Sequence, residues 1–127
     1  MLAAQHDIII TEADLQRLLP VIDQYDTPAS EALSTELHRA VVVPPDRVPA
    51  DVVTMNSEVV YEDLATGQRR TVRIVYPKDA DAHTGRISVL APIGSALLGL
   101  RVGQTISWKL PTGTRRICVV EVRNRNA

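Results

Sequence analysis

Three prolines within six residues, Pro44, Pro45 and Pro49, divide this 127-residue chain into parts with different periodicities. Each proline fixes φ and removes a backbone N–H, so no regular helix runs through Val41 to Ala50. Before them, apolar residues recur every three or four positions, as on one helix face. After Asn56 they alternate, as on a strand. The pattern predicts an α+β chain: a short antiparallel helical hairpin over residues 1–46, then, over 47–127, an antiparallel sheet carrying one short helix. Hydrophobic residues make up 45% of the chain, enough for a core. With no Phe, that core must be built from Val, Leu and Ile.

The hairpin is punctuated clearly. Ile8-Ile9-Ile10 is extended, and Thr11 caps a helix whose third position, Asp14, faces the positive helix end. Leu15, Leu18, Leu19 and Ile22 form one apolar stripe. Pro20 predicts a kink, or an end at Leu19. Thr27 caps a second helix with Pro28 at its first position, and Ala29, Leu33, Leu37 and Ala40 form a narrow seam. The tip carries Asp23 and Asp26.

In the second part, Val59-Val60-Tyr61 and Thr71 to Tyr76 read as strands paired around Ala65-Thr66-Gly67-Gln68. Ile87 to Leu90, Thr105 to Leu110 and Arg115 to Val122 add three more. A turn at Pro111-Thr112-Gly113 joins the last two. Between them, Ala91-Pro92 opens one apolar helical turn. Gly99 ends it in a left-handed conformation, and Gly103 makes the turn that follows.

Several function classes find no support in the residues. His6, His38 and His83 lie in three segments without metal-ligand spacing, and no cofactor or metal is expected. Cys118 is the only cysteine. It sits in Ile117-Cys118-Val119-Val120, so a buried structural thiol is expected and an intrachain disulfide is excluded. No nucleophile elbow or phosphate loop appears, and Pro92 removes a donor that a phosphate nest would need. Tyr61, Tyr76 and Trp108 are too few aromatics for an isomerase pocket, and Trp108 reads as core or groove wall. No catalytic residue and no small-molecule substrate are therefore expected. No apolar run approaches the roughly 20 residues of a membrane span. Met1 to Ile10 is too short and acidic for a secretory signal, so the cytoplasm is expected. Residues 1–50 carry 3 bases against 8 acids, and residues 51–127 carry 11 against 7. The two parts therefore suit differently charged regions of one partner, or are simply two solvated surfaces.

The run from Ile87 to Gln104 resembles the C-terminal domain of the Gre transcript-cleavage factors. Asp51-Val52-Val53-Thr54-Met55-Asn56-Ser57 resembles the opening of that domain in a short branch of the family, named for regulation of nucleoside diphosphate kinase. The likeness covers nearly the whole chain and is strongest from Asp51 onward. It implies an FKBP-like fold for 47–127, a coiled-coil arm for 1–46, and RNA polymerase core as partner, with direct nucleic-acid contact secondary and the chain a monomer. In Gre factors a long arm enters the polymerase secondary channel, and acids at its tip help hold the second Mg²⁺ that activates water. Asp23 and Asp26 stand at the corresponding tip. Yet Glu12 to Tyr25 makes an arm of only about 20 Å, much shorter than in the cleavage factors. What carries over is docking at the channel entrance through Ala91, Pro92, Ile93, Gly94 and Ser95. Arg101 supplies charge, and Ala91 stands where the family often has Ser. The expectation is a non-catalytic transcription regulator that competes with Gre-type factors. The alternatives are a cleavage factor using Asp23 and Asp26, and an interaction module for a nucleotide-metabolism enzyme.

Overall fold

The computed structural model describes residues 8–110 and 113–123, for 108–110 the backbone alone. His6, the Trp108 side chain and the turn expected at Pro111-Thr112 lie outside the described residues. Strand β1 (Ile9–Thr11) leads directly into helix α1 (Glu12–Tyr25), and helix α2 (Pro28–Arg39) leads into strand β2 (Val41–Val43). Both helix starts are capped. The Asp14 N–H donates to Thr11 Oγ1 at 3.1 Å. Thr27 and Ser30 bond reciprocally, each backbone N–H donating to the other's hydroxyl oxygen, at 2.7 and 3.1 Å.

Helix α1 neither ends nor breaks at Pro20. A proline deletes one hydrogen bond from the ladder. Leu18 and Ile22, buried on either side of it, hold the helix in place by packing. The expected stripe needs one correction. Asp14, Leu18 and Ile22, spaced by four, make the buried face, whereas Leu19 is 45% exposed. A carboxylate occupies a place that an apolar pattern assigns to leucine. In α2, Leu33 and Leu37 are buried as the seam requires.

Strands β1 and β2 pair in parallel, Ile9 opposite Val41 and Thr11 opposite Val43, so the bases of the two helices are stitched together. The remaining strands are β3 (Glu58–Asp63), β4 (Arg69–Val75), β5 (Arg86–Ser88), β6 (Thr105–Leu110) and β7 (Gly113–Arg123), with the short helix α3 (Pro92–Leu97) between β5 and β6. They form one sheet in the order β5-β4-β3-β7-β6. The sheet is mixed, not wholly antiparallel as expected, because β5 runs parallel to β4. The connection from Tyr76 to Gly85 carries two short 3₁₀ turns and returns the chain to the same end of the sheet.

Alternation along β3 puts Val59, Tyr61 and Asp63 inward and Glu58, Val60 and Glu62 outward. Cys118, expected to be buried, is half-buried, because Ile117 and Val119 take the core positions of β7. On the outward face Glu62 pairs with Arg69, and Glu58 with Arg73 and Arg123. Both members of each pair belong to this part, so its basic excess remains. One hydrophobic cluster joins the two parts, with Ile10, Leu18, Leu33 and Leu37 packed into the same core as Met55, Ile74, Leu97 and Ile117.

Candidate functional site

The segment from Ser88 to Gln104 is a surface loop held from below. Ser88 closes the turn after β5, its Oγ accepting from Leu90 N–H at 3.0 Å and its carbonyl from Ala91 N–H at 2.9 Å. Ala91 takes the N-cap of α3 with no side-chain cap bond, and Pro92 is the first helical residue. The Ser95 N–H donates to the Ala91 carbonyl at 2.9 Å, and its hydroxyl to the Pro92 carbonyl at 3.3 Å. Leu97, Leu98 and Leu100 are buried beneath. The residues expected to dock therefore divide by direction. Ile93 and Gly94 are buried and belong to the core side of the loop. Pro92 is exposed, Ala91 and Ser95 are half-buried, and these carry its outer surface. Arg101 is exposed, with its guanidinium 3.3 Å from the Asp51 carboxylate.

The loop also ties the chain together. Gly99 N–H donates to the Val53 carbonyl at 2.9 Å, and its own carbonyl accepts from Ile9 N–H at 3.1 Å. Gly99 thus touches the base of the helical arm and the opening of the sheet domain at once. Asp23 and Asp26 lie at the other end of α1, about 20 Å along the helix from this junction. Both are exposed, and Asp26 caps α1 in the left-handed region with φ 36°. The tip acids and the loop expected to dock are not brought together. Among the described residues, no three His, Cys, Asp or Glu side chains converge as a metal site would need, and no helix is long and apolar enough to cross a membrane.

Asp14 matters more than a helix-end charge suggests. It is 7% exposed, and its Oδ2 accepts the Met55 N–H at 3.0 Å, linking the arm to the sheet domain across 41 residues of sequence. Burial raises its pKa. The Met55 N–H, the Thr11 hydroxyl and the Arg17 charge oppose that rise. A carboxyl group with a raised folded pKa binds its proton more tightly when folded. As pH falls from neutral through that pKa, the folded state takes up the proton first. Its contribution to stability therefore improves until the unfolded chain is protonated too.

Asp14→Asn keeps an acceptor for Met55 and removes the charge. Relative to that variant, the parent will gain stability between pH 7 and pH 4. Denaturant unfolding across this range checks it, and a flat difference rejects the assignment. Asp14→Ala strands the Met55 N–H, at a cost of about 1–3 kcal/mol. Sequence reading placed Asp14 at the helix start but had no sign of its distant partner. Asp63, the last residue of β3, goes the other way. The Ala65 N–H, foremost, and the Arg115 guanidinium hold its carboxyl below the usual range, which locks the turn to β7.

Comparison with known proteins matches both parts of the chain. Residues 48–124 match the family described as "Transcription elongation factor, GreA/GreB, C-term", and residues 6–43 match "Rnk N-terminus". The Escherichia coli (strain K12) protein named "Regulator of nucleoside diphosphate kinase" is 46% identical over 110 residues, 84% of this chain and 80% of that protein. The "Transcription elongation factor GreA" of Syntrophobacter fumaroxidans is 46% identical over 68 residues, 54% of this chain and 44% of that protein. The chain therefore matches about half of the length of GreA relatives. A solved structure titled "Prokaryotic transcription elongation factor GreA/GreB from Nitrosomonas europaea" superposes with a TM-score of 0.80 at 41% identity, covering 94% of this chain and 99% of that one. These relatives are regulators and elongation factors. The two matched segments, the shared architecture and the relative matched along most of its length together show that the chain belongs to the GreA/GreB family, in the short branch that carries the Rnk N-terminal segment.

Proposed function

We propose that this chain is a non-catalytic transcription regulator that binds RNA polymerase core near the secondary channel through its sheet domain, which we read as FKBP-like, within residues 47–127. It acts by occupancy, competing there with Gre-type factors. The docking surface is Ala91, Pro92 and Ser95, with Arg101 beside them, seated on the buried Ile93 and Gly94. The reading rests on one observation, the length of the arm. Helix α1 has 14 residues, roughly 21 Å at 1.5 Å per residue, with Asp23 and Asp26 in its last turn and cap. An arm this short touches the rim and leaves the tip acids far from a magnesium at the polymerase centre. There they solvate a turn, as Asp commonly does.

The test is binding of the labelled full chain to core polymerase, with and without excess Gre-type cleavage factor. Displaceable binding is expected, together with no stimulation of transcript cleavage on a backtracked complex. Asp23→Asn/Asp26→Asn should change neither result. Cleavage that this double variant abolishes would replace the occupancy reading with a catalytic one. Binding that resists displacement moves the site elsewhere, and no binding at all sinks the proposal.

A further inference from the structure

A cleft of about 660 Å³ lies between α2, α3 and the outer edge of β6. Its apolar lining includes Leu33, Leu100 and Ile106, and among the described residues its charged members are Glu36 from α2 and Arg116 from β7. Neither of these makes an ion pair with another described residue. Arg69, Arg73, Arg101, Arg115 and Arg123 are paired, whereas Arg70 and Arg86, like Arg116, have no ion pair among the described residues but do not line the cleft. A carboxylate and a guanidinium thus stand on one apolar cleft without neutralising each other, so each is free to meet an opposite charge from outside.

The strand bordering the cleft is the last in its sheet. Gly103 N–H donates to the Val119 carbonyl at 2.8 Å, and Val119 N–H donates to the Gln104 carbonyl at 3.0 Å. Both polar groups of Val119 therefore point at β6. Antiparallel ladders alternate, so the next bonded pair two residues on is Ile117 with Ile106, which are in register. The backbone N–H and C=O groups of Thr105 and Ser107 then point away from β7, along the cleft that both residues line. An open row of donors and acceptors beside a partly apolar cleft is a template for strand addition.

We propose that this cleft takes an extended segment of a partner protein, added as a strand to β6. Ile106 pairs with the buried Ile117 and Arg116 with Ser107, so Ile106 and Arg116 lie on opposite faces. The segment carries a basic and an apolar residue two apart on one face, and an acidic residue next to the apolar one on the other. The apolar side chain packs over Ile106 and Leu33, the basic one meets Glu36 and the acidic one meets Arg116. The main-chain bonds to Thr105 and Ser107 supply affinity, and the alternate side chains supply selectivity. Because α2 belongs to the arm and β6 to the sheet, an occupant touches both parts of the molecule. The inference does not need polymerase to be the partner, although the cleft shares Ser95 with the proposed docking surface.

The probe is a fluorescein-labelled peptide, Lys-Thr-Val-Glu-Thr, acetylated and amidated, followed by anisotropy against the full chain. It is compared with Glu-Thr-Val-Glu-Thr. The parent should prefer the first peptide, and Glu36→Lys should reverse that preference, each by about tenfold. Ser107→Pro removes an outward donor but no β6–β7 ladder bond, a position where edge strands accept proline. It should weaken both peptides by tenfold or more, with its fold checked by circular dichroism. If that variant does not fold, the reversal in Glu36→Lys decides alone. Equal binding of both peptides by parent and Glu36→Lys overturns the proposal, as does no binding at millimolar peptide. Sedimentation showing a dimer of the parent that Glu36→Lys disrupts also overturns it, because the occupant is then a second copy of this chain.

Discussion

Gly94→Ala will destabilise the chain by about 3 kcal/mol or more, although the same change in a free helix is favourable. Gly94 sits in α3, where alanine has the better intrinsic propensity. A Cβ there would stand 2.2 Å from the Ser88 carbonyl oxygen and 3.2 Å from the Val89 Cα. Both neighbours are backbone, and Val89 is fully buried, so neither can rotate aside. Relief requires α3 to lift off the end of β5. That would carry Pro92 and Ser95 away from their present surface and expose Leu97. Thermal unfolding by circular dichroism checks the stability. Polymerase binding under conditions where the variant is still folded checks the surface. An unchanged melting temperature would show that α3 does not need this close approach.

The second large effect is expected at the junction of arm and sheet. Gly99 has φ +84°, and a Cβ on it would lie 2.5 Å from the Cβ of Ile8 and 3.2 Å from the Ile9 backbone. Strain for a residue with a Cβ and overpacking together cost about 3 kcal/mol. The damage should be local. Strand β1 would leave Gly99 and carry the arm with it, while the five-stranded sheet keeps its own ladders. Hydrogen exchange reads this directly. Amides Ile9 and Val41 should lose protection in Gly99→Ala, while those of β3 and β7 keep theirs. Val41 is included because its N–H donates to the Ile8 carbonyl at 2.8 Å. Uniform loss across both parts would mean that arm and sheet unfold only as one unit.

Much of the architecture was legible because it is written in local chemistry. Thr11 and Thr27 cap the helices where sequence reading places them, although α1 runs through Pro20, where the sequence predicts a kink or an end. Gly99 and Gly103 adopt positive φ, and Pro92 opens α3. Each of these depends on a residue and its immediate neighbours. The β1–β2 pairing was not legible. It joins three-residue segments about thirty residues apart, and nothing within either segment names the other. The parallel place of β5 depends likewise on the path of the preceding connection.

The loop proposed for docking was read as a segment, but its division into inner and outer residues was not. Ile93 and Pro92 are adjacent in sequence, and only packing against the sheet buries one and exposes the other. The burial of Asp14 against Met55 and the Glu36–Arg116 cleft carried no sequence signal. Their meaning lies in a backbone amide 41 residues away and in two charges from separate elements. The sequence by itself determined most of the elements, the helix caps and the family, because these follow from short-range sterics, hydrogen bonding and motif. The tertiary structure alone decided which side chains face outward, where a carboxylate is buried and which strand edge stays open. Those depend on contacts between residues distant in the chain, where burial and local propensity compete and packing prevails.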